Sequence, residues 1–163
     1  MADDGIMKLK TNLSLAAAST IVDAALAAGR EAGMFPLAVC VFDAGGHLIA
    51  LKREDGAGIQ RVEIATGKAC AALGMGMSSR TLRNRLKGRE AFQSTAAVAT
   101  GGRFVPVPGG VLILDSGGDI IGAVGISGDA SDKDEYCAIA GIKAAGLTPS
   151  PSEPDINWST AIP

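Results

Sequence analysis

Apolar positions Leu15, Ala18, Val22, Ala25, Leu26 and Gly29 recur at helical spacing, predicting an amphipathic helix capped by Asn12 and running to about Gly33. Pro36 marks its end. The pattern then changes. An apolar run, Leu37 to Phe42, leads into Asp43-Ala44-Gly45-Gly46-His47-Leu48-Ile49-Ala50, and a second, Val111 to Leu114, leads into Asp115-Ser116-Gly117-Gly118-Asp119-Ile120-Ile121-Gly122. An Asp at a strand end can bond the backbone two residues on, and paired glycines accept positive φ, so each copy predicts a β-hairpin turn. The first hairpin is expected over roughly 37–43 and 47–53, the second over about 110–127. Period-two alternation would put His47, Ile49, Leu51 and Arg53 on one face of the second strand, and Leu48, Ala50 and Lys52 on the other.

Between the hairpins the chain reads as helical. Gln60 to Gly74 is built largely from small residues (Ala65, Gly67, Ala69, Ala71, Ala72), a composition that lets another backbone approach closely. Ser78 or Ser79 starts a short basic helix, Glu90 to Ala99 forms another, and Thr100 to Pro108 is a loop marked by glycine and proline. Ser131 or Asp132 caps a last helix ending at Gly146, a glycine suited to a left-handed C-terminal cap. Residues 1–147 form the expected domain. Residues 148–163 form a tail with four of the seven prolines and the single tryptophan, Trp158, expected to dock on the body or on a neighbouring subunit. Hairpins impose antiparallel pairing, and the helical crossover lets both join one sheet, so the fold class is α+β.

With 47% hydrophobic and 20% charged residues, the 163-residue chain is short of charge to cover a monomer's surface, which predicts self-association. A net charge of −2 argues against nucleic acid as a partner. Three cysteines without a CxxC pair, no signal-like leader and no apolar run approaching ~18 residues point to a cytoplasmic protein off the membrane. One histidine and scattered cysteines leave no metal cluster at known spacing.

Several segments together carry a family resemblance: Val41 to Leu48, Arg53-Glu54-Asp55-Gly56-Ala57, Ile64-Ala65 with Lys68-Ala69, Pro108-Gly109-Gly110-Val111, Gly122 to Gly128, and Asp134-Glu135. In this order and spacing the chain, over about residues 10–147, resembles the GlcG/HbpS family, whose domain also forms the C-terminal part of PduO-type corrinoid adenosyltransferases. The resemblance implies a profilin-like fold with a five-stranded antiparallel sheet, and assembly into dimers and larger oligomers. It also implies haem or a corrinoid as a ligand in some members. The first helix here carries no histidine, so no axial ligand transfers by position.

Candidate chemistry gathers on a few residues, each with a structural alternative. Arg53 and Lys68 are either a structural Arg53–Asp55 pair and a lysine reaching for solvent, or two cations that together hold a carboxylate. Asp134 and Glu135 either complement the last helix's dipole, or Glu135 faces a pocket as counter-charge or general base. Gly101 to Gly110 is either a plain connection or a loop closing over a pocket, with Phe104 as apolar wall and the Gly109 and Gly110 amides as donors. His47 is an exposed turn residue, an axial ligand or an acid/base group, with Met75, Met77 and Tyr136 as other candidate haem donors. Five cations among residues 80–89 form a solvated helix face or a rim steering anions.

Two functions fit. One is a binding protein for a haem-like tetrapyrrole or small anionic metabolite, tied to a catabolic pathway, its pocket lined by Arg53, Asp55, Lys68, Phe104, Gly109, Gly110, Glu135 and His47. The other is a cofactor-independent enzyme on a small carboxylated or carbonyl substrate, oriented by Arg53 and deprotonated by Lys68 or Glu135.

Overall fold

Five strands, β1 (Ala38–Asp43), β2 (Leu48–Arg53), β3 (Gly110–Leu114), β4 (Ile120–Ser127) and β5 (Thr148–Ser150), form one antiparallel sheet in the order β2-β1-β4-β3-β5. Five helices accompany it: α1 (Leu15–Glu31), α2 (Arg61–Met75), α3 (Ser79–Arg85), α4 (Glu90–Ala99) and α5 (Ser131–Ala144). The computed structural model describes Gly5 and residues 7–163. The α+β class read from the chain and the five-stranded antiparallel sheet implied by the family resemblance are those observed, the fifth strand coming from outside the two hairpins.

Alternation along the central strands divides the core into two layers. Val39, Val41, Val111, Ile113, Val124 and Ile126 meet α1 and α5 on one face. Cys40, Phe42, Leu112 and Ala123 meet the small face of α2 on the other. Gly125 explains why α2 is made of alanine and glycine: a methyl there would run into the Ala65 carbonyl. Gly67, on the other side of α2, leaves room for Val105 in the same way.

The repeated segment folds into the same device twice. Asp43 Oδ1 accepts from the amides of Gly45 and His47, both at 2.9 Å, and Gly46 turns with φ of 78°. Asp115 Oδ1 likewise accepts from Gly117 and Asp119, and Gly118 turns with φ of 86°. Each hairpin also carries a bulge at the matching place. Pairing steps from Val41↔Ala50 to Phe42↔Leu48, and from Ile113↔Gly122 to Leu114↔Ile120, leaving Ile49 and Ile121 as the extra residues.

That bulge corrects the expected faces of β2. Strict alternation fails, His47 stays in the turn, and Arg53 is exposed. Two caps also differ. Ser14, not Asn12, caps α1, accepting from Ala17 N at 3.1 Å. Neither Ser131 nor Asp132 caps α5, because the cap position falls on Ala130, whose amide donates to Asp129 Oδ1 at 2.7 Å. The tail supplies the fifth strand, β5 on β3, and Trp158 stacks on Tyr136 of α5 with ring centroids 3.7 Å apart.

Candidate functional site

The structure gathers Lys68, Gly109, Gly110 and Glu135 at one end of the sheet, and sets Arg53, Asp55, His47 and Phe104 elsewhere. Lys68 leaves the middle of α2 and reaches Asp134 of α5, Nζ to Oδ2 at 2.8 Å, with the two side chains 2% and 1% exposed. Gly109 makes the space, since a Cβ there would sit 2.9 Å from Nζ. The Gly110 amide is not free for a ligand; it donates to Ser79 Oγ at 2.8 Å, which in turn donates to the Gly110 carbonyl. Burial pushes the Asp134 carboxyl up to about 6, against the pull of the Lys68 ammonium.

Glu135, the next residue, is fully buried, and neither carboxylate oxygen has a hydrogen-bond partner among the described residues. Its nearest cation is Arg80 of α3, Nη1 to Oε1 at 3.3 Å. Desolvation pushes its carboxyl up to about 7, Arg80 opposing and Asp132 reinforcing the rise. Arg80 also donates to the Glu153 carbonyl at 2.9 Å, so the tail lies across this corner. An ionisable group that is dry, unsatisfied and poised near neutrality is where proton transfer is most easily placed.

Arg53 donates to the Ala57 carbonyl at 2.7 Å instead of pairing with Asp55. Both line an exposed hollow with Arg30, Lys52 and Glu54, and Lys68 is not among its walls. Phe104 packs inward against Ala71, Leu82 and Leu86. His47 stands at the first turn, its side chain 83% exposed and Nδ1 3.4 Å from Asp43 Oδ1.

Asp134, Arg80 and Ser79 escaped sequence reading as site residues. A signal for Asp134 was available: with Cys137, Ala138, Gly141 and Ile142 it shares one buried helical face, where an acid must meet a cation. Nothing local distinguished Arg80 from its four basic neighbours.

Two recesses flank the first turn. One is an apolar groove of about 630 Å³ walled by Leu13, Leu15, Leu48, Ile49 and Ile121, with Lys10 at its edge. Asp43, Ala44 and Gly45 also line it, so His47 belongs to the turn that forms one rim. The other, of about 360 Å³, lies toward α2. Iron in a porphyrin needs a donor over an apolar seat, and propionates need a cation. The apolar walls and Lys10 fit the seat and the cation, and His47, which follows Gly46 in the same turn and is not among the lining residues, is the imidazole next to it in the chain. Met77 packs in the Phe104 cluster and Tyr136 is covered by Trp158, so neither serves as well.

This α+β architecture is shared with solved structures of HbpS and PduOC. Residues 13–143 match the family model of the haem-degrading, HbpS-like proteins, and the chain belongs to that family. No curated protein matches the chain. Among solved structures, the PduOC–haem complex is 25% identical, with 83% of this chain and 96% of that one covered and a TM-score of 0.74. HbpS is 28% identical, with 88% and 96% covered and a TM-score of 0.69. Protein ORFY of Klebsiella pneumoniae shares the fold at 21% identity and a TM-score of 0.75, with 86% and 94% covered.

Proposed function

We propose that this protein binds an amphipathic anion, a haem-like tetrapyrrole or a smaller anionic metabolite, in the groove beside the first turn. The observation that carries this reading is a largely apolar recess of about 630 Å³, within the roughly 300–1,000 Å³ range of ligand sites, with the Lys10 cation among its lining residues. Membership of the HbpS-like family and likeness to a PduOC structure holding haem support the tetrapyrrole form. Leu13, Leu48, Ile49 and Ile121 would seat the ring, Lys10 would meet a propionate and His47 would approach the metal. A bound haem would supply iron redox chemistry there.

Exposed apolar side chains support self-association as part of this reading. Helix α4 has no buried residue, and Phe92 and Val98 on it face outward. The catabolic setting remains an element of the proposal.

Haemin added to micromolar protein is expected to shift the Soret band, and His47→Ala to change its position while leaving apolar retention of the ring. Succinate, a small dicarboxylate, is the probe for the metabolite form, read as a rise in Tm. No Soret shift and no thermal response together overturn the reading.

A second reading, an enzyme without a cofactor, is favoured by one observation: the buried carboxyl of Glu135, which has no hydrogen bond among the described residues and only the Arg80 cation beside it. In that reading Glu135 moves the proton and Arg80, not Arg53, meets the substrate's charge. Lys68 would act by holding Asp134, and with it the start of α5, in place.

A further inference from the structure

A second, open hollow of about 360 Å³ adjoins the same first turn and is bordered by three pieces of chain. The turn contributes Gly45 and Gly46, the second half of α2 contributes Cys70 and Leu73, and the segment after α4 contributes Thr100 and Arg103. Its volume suits a ligand at the small end of the usual range.

Arg103 is the informative wall. Its backbone is held on both sides: its own amide donates to the Thr100 carbonyl at 3.2 Å, Phe104 is buried in the cluster with Leu82, and the Val105 amide donates to the Gly67 carbonyl at 3.1 Å. The guanidinium therefore projects from a fixed point. Its one side-chain hydrogen bond among the described residues is a long one from Nη2 to the Gly46 carbonyl, 3.4 Å. Among the described residues it makes no ion pair, unlike Arg30, Arg80 and Arg83 and like Arg53, Arg61, Arg85 and Arg89. A fork of five N–H donors with one weak partner, at the edge of a recess, has capacity for two carboxylate oxygens. Cys70 is the only half-exposed thiol; Cys40 and Cys137 are buried. Beside Leu73 it offers a soft, apolar surface for the body of a ligand.

We infer that this hollow is a binding site for a small organic carboxylate, held by Arg103, with its carbon skeleton against Cys70 and Leu73. The site shares Ala44 and Gly45 of the first turn with the groove proposed above, and differs from it in being lined by α2 and the loop after α4.

Cys70 lets the site be probed directly in the full-length protein. Iodoacetate and iodoacetamide alkylate a thiolate by the same displacement: an S–C bond forms, the C–I bond breaks, iodide leaves, and the thiol proton has gone to solvent. They differ in the carboxylate. Labelling is assigned to Cys70 by peptide mass mapping, and the iodoacetate-to-iodoacetamide rate ratio is compared with that of a free cysteine peptide. The ratio at Cys70 is expected to exceed the peptide's about fivefold, the order one unit charge produces a few ångströms away in water. Added salt should lower it. Arg103→Gln should return it to the peptide's value, and Arg103→Lys should keep part of it. Propionate should slow iodoacetamide labelling of the wild type. A wild-type ratio equal to the free peptide's, or one unchanged by Arg103→Gln, overturns the assignment. The wild-type comparison stands even if a variant folds poorly, and a haemin titration, with the succinate-induced rise in Tm repeated in Arg103→Gln, tests the groove separately.

Discussion

Replacing Glu135 by glutamine removes a charge while preserving the side chain's shape, so it isolates the consequence of burying a carboxyl that has an ion pair to Arg80 and no hydrogen bond among the described residues. In the folded protein the group is pushed up to about 7 from its ordinary 4.5, with desolvation the leading cause. The native state therefore keeps a proton that the unfolded chain releases between these values. Its contribution to stability is fully present below pH 4.5, falls as pH rises toward 7, and is gone above that. At about 1.4 kcal/mol for each tenfold change in proton activity, the wild type loses about 3 kcal/mol across this window. The amide of the variant does not titrate. Wild type and Glu135→Gln should thus be similar in stability near pH 4.5, and the variant more stable by about 3 kcal/mol at about pH 8. For a chain of this length that corresponds to a Tm difference of about 6–12 °C. Urea unfolding at a series of pH values reads the effect directly. A difference between the two proteins that stays constant across this range of pH would refute the argument, because it would mean Glu135 ionises as an ordinary carboxyl. In the enzyme reading the same variant also loses turnover, so a stabilised but inactive protein would mark the exchange of stability for chemistry.

Lys68→Met should destabilise the fold by about 3–5 kcal/mol at about pH 8, since Asp134, 1% exposed, would lose the cation that opposes its desolvation. Adding Asp134→Asn should recover part of that loss in a double-mutant cycle, and a single-variant loss below about 1 kcal/mol would contradict the role given to the pair. Gly125→Ala sets a methyl against the Ala65 carbonyl, a backbone atom that cannot rotate away. Overpacking there should cost about 3 kcal/mol or more, read from Tm; a variant melting with the wild type would show that α2 yields.

Much of the architecture was legible because it is written in local chemistry. An Asp that bonds the amides two and four residues on, followed by glycine at positive φ, specifies a turn wherever it occurs, and both copies formed it. Likewise the small face of α2 announced a close backbone approach, which Gly125 completes. Caps were less secure, because Asn12 and Ser14 compete for one helix start and nothing local decides between them. The site was harder to read. Arg53 and Lys68 look equivalent as cations in apolar surroundings, yet one ends an edge strand in solvent and the other is buried against α5.

The order of polar and apolar residues by itself determined two hairpins, their turns, the helices between and after them, and so an antiparallel sheet covered by helices. Which charges meet was decided only in three dimensions. Lys68 and Asp134 are 66 residues apart, and Arg80 faces Glu135 across a boundary between α3 and α5 that no periodicity describes. Hairpin turns depend on bonds within a few residues of chain, whereas a buried ion pair depends on how whole helices settle across a sheet. That distinction is why the chain could be read for its fold while its chemistry had to wait for the packing.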